Sequence, residues 1–555
     1  MRTLKLGQMG AWSVVVLAGS LLAQAQTSSW VAVIDGVETP CPEIEMGDPA
    51  VVRAILDEGK NRNQVMSHLR HLTKEIGARL TGSSALENAN NWTKDQFASW
   101  GLSNAHLDKW GEIPVRFDRG PSYGKVVLKR TPRGGGESQY EPIRDMQLTW
   151  QAWAVGTEGP VRGPVVKEPQ NAEEFLAVQP KLYGSWVLIK APPAVGQRGI
   201  RDRVGTRYQV ARDARRKVAE GTSPENLSIA ERLSLEPIAG YITTSSDERV
   251  WTGGAPGWRN LDADAIPPGP QVVIRRSDYD FINSRVADGE PVEAEFDLNC
   301  TFTKGPIPVY NTIAEIPGTE KPDEVVIISA HLDSWNGPGS EGCTDNGTGS
   351  SVTLEAARIL MAVGAKPKRT IRFILWTGEE QGLLGSRAYV EANREKLEKI
   401  SAVFVDDGGT NYEGGIPAAT SQVDYLAAAT APTNNQFYSE VDKKYLNVNI
   451  RKQGEMRTGG GGSDHQSFIQ AGVPGFFWDE VGRADYGYGW HTQNDTYDLA
   501  IAEYLVQSST NAAIVAYRLA CAPELLSRPP AAARPARPPQ GRGPGAGERP
   551  AGGAN

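Results

Sequence analysis

Cysteine and histidine are both scarce in this 555-residue chain, with four of the first and six of the second. A disulfide-dense scaffold is therefore excluded, and so is a zinc site built from clustered Cys and His. Long apolar runs are lacking too: no internal stretch reaches the roughly 18 residues that a membrane span needs. Positive charge is not in excess. The chain has 58 Lys and Arg against 66 Asp and Glu, a net charge of −8, which argues against a general nucleic-acid binder. With 60 Gly, 37 Pro and a mean hydropathy of −0.40, a loop-rich globular protein remains, long enough for more than one domain.

The two ends differ from the body. Residues 1–25 read as a secretory signal: Arg2 and Lys5, an apolar core from Ala11 to Leu22, and the small-residue box Ala23-Gln24-Ala25. Residues 527–555 are mostly Pro, Ala, Gly and Arg, a composition too poor in apolar side chains to offset ordering entropy, so a disordered tail is expected. The signal carries two positive charges, and the tail has five Arg against one Glu, so residues 26–526 hold −14. Export to an oxidising compartment, periplasmic or extracellular, would let Cys41, Cys300, Cys343 and Cys521 pair in any of three ways.

Between the ends, residues 320–526 alternate strand and helix, within a stretch 300–526 read as one part of a domain. Glu324–Ala330 (EVVIISA), Ile371–Thr377 (IRFILWT), Ala402–Val405 and Pro474–Trp478 are continuous apolar runs of the kind buried in parallel sheets. Gly349–Met361 and Leu383–Ile400 read as helices between them. The expected fold is a three-layer α/β/α domain, begun by residues 26–120 and interrupted by a segment at 121–299. That segment, with short β-type runs between Gly- and Pro-rich turns, reads as mainly β. Its stretch Arg198–Lys217 contains seven Arg and reads as a solvated helix or loop.

The chemistry-bearing residues follow the strands. His331 and Asp333 lie in AHLDSW, Asp345 in TDNGTG, Glu379 and Glu380 in WTGEEQG, Asp407 in FVDDGGT, and His491 in YGWHTQNDT. Sites in open α/β sheets form outside the carboxyl ends of strands, where these segments converge. Two imidazoles with several carboxylates suit a pair of Zn²⁺ ions, which need a bridging carboxylate and another outside the metal shell to take a proton from water. Glu379 and Glu380 are placed to divide that work, and Asp333 to orient the His331 imidazole.

At these motifs the chain resembles the co-catalytic di-zinc peptidase family of aminopeptidase Y and glutamate carboxypeptidase, its plasma glutamate carboxypeptidase members most of all. The likeness runs from LTKEIGARLTGS near Leu72 to about Cys521 and includes SDHQSFIQAGVPG. It implies a secreted metallo-exopeptidase acting on dipeptides or short peptides. His331 and Asp407 would bind one zinc, Glu380 and His491 the other, with Asp345 bridging and Glu379 as general base. Asp407 is preferred to Asp406 because it directly precedes Gly-Gly. Asp464 and His465 would support the site, and Tyr486 or Tyr488 would hydrogen-bond the oxyanion. His68, His71 and His106 match nothing catalytic. The family implies that residues 121–299 form a protease-associated domain covering the site. Aminopeptidase specificity is the main alternative, followed by zinc acyl transfer and a receptor-like binding role. A homodimer is left open.

Overall fold

The computed structural model describes residues 30–130, 137–191, 198–264, 266, 269–454 and 462–528, with backbone alone for 198–208. The expected signal and all but the first two residues of the expected tail lie outside these. Four parallel strands form the centre of the large sheet, in the order Gly475–Phe477, Ile400–Val405, Lys321–His331, Arg369–Trp376. Alternation along them is two-sided. Val326, Ile328 and Ala330 face one core with Ile371, Phe373 and Leu375, while Val325 and Ile327 face the other with Ile374 and Trp376. Strands apolar on both faces must be covered on both. Helices Thr348–Ala362 and Ala502–Cys521 contribute to the first core, Leu384–Ala392 and His465–Gln470 to the second. This is the expected three-layer α/β/α arrangement. The expected helix Leu383–Ile400 is shorter, ending at Ala392 and followed by a 3₁₀ stretch, Arg394–Lys399.

The chain order makes the site. From Lys321–His331 the polypeptide crosses to Arg369–Trp376 on one side and then to Ile400–Val405 on the other. The order therefore reverses at the carboxyl end of Lys321–His331, where the loops diverge and leave a crevice.

Two long strands, Ser103–Arg130 and Val292–Ile316, pair antiparallel along most of their length, with bulges at Leu298/Cys300 and Lys304/Ile307. One end of Val292–Ile316 pairs with Arg369–Trp376, and the other with Val161–Lys167. Positions 121 and 299 thus fall inside continuous strands, and the sheet passes unbroken from the catalytic layer into the inserted segment. That segment is more helical than its sequence pattern implies. Its strands Val161–Lys167, Trp186–Leu188, Gly240–Thr244 and Gln271–Ile274 run parallel, with helices including Ala172–Val178, Arg198–Ala219 and Arg276–Ala287 between or after them. Short strands separated by Gly and Pro hide the helices from a periodicity reading. All four cysteines are free.

Candidate metal centre

His331 closes its strand with its side chain buried, and Asp407 lies just beyond Val405. Glu379 and Glu380 follow Trp376, Asp345 precedes the helix Thr348–Ala362, and His491 follows the turn Tyr486–Gly489. The five expected ligands meet as two triads, His331–Asp345–Asp407 and Asp345–Glu380–His491, each with candidate ligand atoms within 4.8 Å of one another. Asp345 belongs to both. Its Oδ1 lies 3.3 Å from His331 Nε2, and its Oδ2 lies 3.1 Å from His491 Nε2. His331 Nε2 is 2.9 Å from Asp407 Oδ1, and His491 Nε2 is 2.9 Å from Glu380 Oε2.

The His331 tautomer tests whether a cation fits. Its Nδ1 donates to the Asp333 carbonyl at 2.9 Å, so in the neutral imidazole Nε2 presents a lone pair to two carboxylates. Three lone-pair donors converging on one point repel one another unless a proton or metal stands between them. No Lys or Arg takes that place among the described residues of either triad. The titration of the groups says the same. Burial pulls the His491 pKa down, but Glu380 and Asp345 outweigh it and hold it up at about 9. Burial and Asp345 push Glu380 up to about 7. Imidazole nitrogen and carboxylate oxygen in this number suit two zinc ions.

Glu379 stands outside both triads but lines the same cavity of about 640 Å³. Burial, with Asp407, Asp464 and Glu380 adding to it, pushes its carboxyl well above the ordinary range. Tyr486 lines this cavity as well. Burial and the Asp345, Asp407 and Glu380 carboxylates raise its hydroxyl well above the usual value, so it stays a hydrogen-bond donor. Tyr488 is 49% exposed and does not line the cavity. Of the two tyrosines, only Tyr486 is brought to the site.

Asp333 orients His331, but through its main chain. Its carboxylate lies 3.6 Å from His331 Nδ1, too far for a hydrogen bond. It instead accepts from the Glu379 and Glu380 amides, both at 3.3 Å, and from Thr81 Oγ1 at 3.0 Å. The side chain thus steadies the Glu-Glu turn, because the strand end turns its carbonyl toward the ring. Asp406 faces away, as the Gly-Gly register implies. Its carboxyl meets Glu480 and Glu413 and is pushed up to about 7 by burial, while its carbonyl accepts from Asn346 Nδ2 at 2.7 Å. A Cβ at Gly349 would lie 2.1 Å from that carbonyl, so the helix that follows Asp345 approaches only with glycine there.

Two supports had no assigned role in the sequence. Asp495, in the HTQNDT motif, accepts from Thr344 N at 2.6 Å and Thr344 Oγ1 at 2.7 Å, fixing the turn before Asp345. Arg79, in LTKEIGARLTGS, is fully buried and donates to the carbonyls of Leu332 and Gly342, both at 2.7 Å. It anchors both ends of the Gly-rich loop between the first two ligands. Their motif positions were the available signal, but partners reached through space are not. His491 has a φ of +56, and its carbonyl accepts from Thr252 N at 2.8 Å, so the inserted segment braces a ligand. Asp464 and His465 are buried beside the site, with His465 lining the cavity. His68 bonds Glu355, His71 stacks on Trp92 and His106 bonds the Asn104 carbonyl of its own strand, none of them at the centre.

Residues 311–516 match the model of peptidase family M28. Carboxypeptidase Q of Mus musculus is 27% identical over 486 residues, covering 86% of this chain and 91% of the relative. The Homo sapiens protein of that name is 29% identical over 482 residues, covering 86% and 90%. A probable glutamate carboxypeptidase of Arabidopsis thaliana is 30% identical over 276 residues, covering 44% of this chain and 38% of its own. Among solved structures, a peptidase M28 precursor from Shewanella amazonensis superposes with a TM-score of 0.56 at 24% identity, over 87% of this chain and 98% of that one. That match shows a shared fold.

Proposed function

We propose that this chain, a metallo-exopeptidase whose residues 311–516 match peptidase family M28, is an exported, two-zinc carboxypeptidase or dipeptidase acting on short peptides. The shared Asp345, with one oxygen toward each imidazole, carries the two-metal reading. His331 and Asp407 would hold one zinc, Glu380 and His491 the other. Zinc bound there supplies Lewis acidity toward water and the scissile carbonyl. Glu379 takes the proton of the attacking water and returns it to the leaving amine. Tyr486 donates to the oxygen that gains charge.

The end of the peptide that is read follows from charge. Among the described residues lining the cavity, Arg387 is the one Lys or Arg, and it forms no ion pair with any described acid. The acids there are the metal donors, Glu379, and Asp479, which is neutralised by Arg451 at 2.7 Å. A free peptide carboxylate therefore meets a guanidinium that pairs with no described acid, whereas the one acid left for a free ammonium is Glu379, the proposed base. The test is one dipeptide offered unblocked, N-acetylated and C-amidated, with and without chelator. Amidation should cost more than tenfold in kcat/KM, acetylation far less, and chelation nearly all activity. If acetylation abolishes turnover and amidation does not, the enzyme is an aminopeptidase.

A further inference from the structure

A second cavity, of about 280 Å³, opens beside the metal centre and has a different chemistry. Its walls include four tryptophans, Trp150, Trp251, Trp258 and Trp335, together with Val273. Glu380 is its only charged lining residue, and that carboxylate is already committed to the metal set. Trp150, Trp251 and Trp258 come from the inserted segment, while Trp335 comes from the loop after His331. The pocket is therefore assembled only when the two parts of the chain meet.

Its walls are held before any ligand arrives. Trp258 stacks on Trp153 with ring centroids 4.2 Å apart, and the Arg119 guanidinium lies 3.8 Å from the Trp150 ring centre. Trp251 meets Trp490 edge-on at 6.0 Å. The Trp335 amide donates to Glu380 Oε1 at 3.2 Å, and its ring stands edge-on to His491 at 6.3 Å. Prepositioned aromatic walls bind without a large ordering cost. Pockets for whole drug-sized ligands start at roughly 300 Å³, so this one suits a single large side chain. A charged side chain entering it would lose hydration and meet only the Glu380 carboxylate, which repels an acid and is already committed to the metal set against a base.

We propose that this pocket is a side-chain subsite for a large uncharged residue, aromatic above all, flanking the scissile bond on the Glu380 side. The inserted segment then sets substrate choice as well as bracing His491. This rests on the peptidase reading, and the experiment separates the two. Gly253 lines the pocket, lacks a positive φ, and a Cβ there meets nothing within 4 Å, so Gly253→Leu adds bulk without a backbone clash.

Two dipeptide series, X-Ala and Ala-X, with X as Gly, Leu, Phe, Tyr, Trp, Asp or Lys, are assayed with metal-loaded protein. In one series Phe, Tyr and Trp should exceed Gly by at least tenfold in kcat/KM, with Asp and Lys lowest. In Gly253→Leu of unchanged metal content, the Phe-to-Gly ratio should fall at least tenfold; Trp258→Ala should lower the same ratio if the first variant does not fold. A flat series, or a ratio untouched in both variants, overturns the subsite while leaving the peptidase intact. If no dipeptide is hydrolysed, the peptidase reading fails instead. Tryptophan-fluorescence titration with the Phe and Gly dipeptides then decides the subsite: tenfold tighter binding of Phe supports it, and equal binding overturns it.

Discussion

The inserted segment and the catalytic layer each bury acid, and they treat it in opposite ways. In the insert, Asp278 is fully buried yet receives Arg144 Nε at 2.6 Å, Arg275 Nε at 2.9 Å and the Gln147 amide at 2.9 Å. At the carboxyl ends of the catalytic strands, Asp345, Asp407 and Glu380 meet imidazoles and one another, with no Lys or Arg in either triad. A buried charge must be paired or coordinate a metal. Asp278 is complete as folded and reads as structure, whereas the triads set three carboxylates against two imidazoles and would take cations in the function proposed above. That contrast, more than the number of acids, separates a stabilising network from a centre built for chemistry.

The sharpest way to break the contrast lies at Glu379, a half-buried acid in the site that belongs to neither triad. If its work is proton transfer, Glu379→Gln should lower kcat by about 10³-fold or more with two zinc ions per chain retained. Turnover with zinc analysis by mass spectrometry checks both halves. Loss of metal would mean that Glu379 is part of the ion-holding set, and the division between donors and base would fall.

The converse test removes the satisfied acid. Asp278→Asn leaves Arg144 and Arg275 without their carboxylate, and breaking a buried pair on one side costs about 3 kcal/mol. Urea unfolding of the metal-loaded protein should record that loss, while zinc content stays as in the parent. Should zinc content fall with Asp278, the insert and the metal centre would be one cooperative unit, joined through the Thr252–His491 contact.

The two regions also differed in how far they could be read in advance. The candidate site residues at strand ends were legible as a converging set because buried parallel strands are continuous apolar runs, and the residues after each run mark the crevice. His331, Asp407 and the Glu379–Glu380 pair all follow that rule. Asp333 was legible as a neighbour of the site but not in its manner of action, since sequence does not show whether carbonyl or carboxylate faces the ring. Tyr486 and Tyr488 are equivalent in sequence, and only the turn Tyr486–Gly489 sends one inward. The insert was least legible. The strands of its parallel set are three to seven residues long and its tryptophans lie far apart in the chain, so apart from Arg198–Ala219, read as a helix or loop, neither its helices nor its pocket leaves a periodic trace.

The last expected effect, seen only toward acid pH, concerns His465, a third way in which the catalytic layer holds an ionisable group. It is 5% exposed, its Nδ1 has no partner among the described residues, and burial lowers its pKa to about 4. Unlike His331 and His491 it faces no carboxylate that offsets burial, so it stays neutral in the folded protein while the unfolded chain titrates near 6.5. Between pH 6.5 and 4 the unfolded state therefore binds more protons, and stability is lost as pH falls through that window. The full loss is on the order of 3 kcal/mol at its acid end. His465→Gln removes this contribution, so the stability difference between parent and variant should shift by that amount from pH 7 to pH 4, as measured by urea midpoints. A difference independent of pH would mean that His465 finds a charge partner, and that its place beside the metal centre is electrostatic.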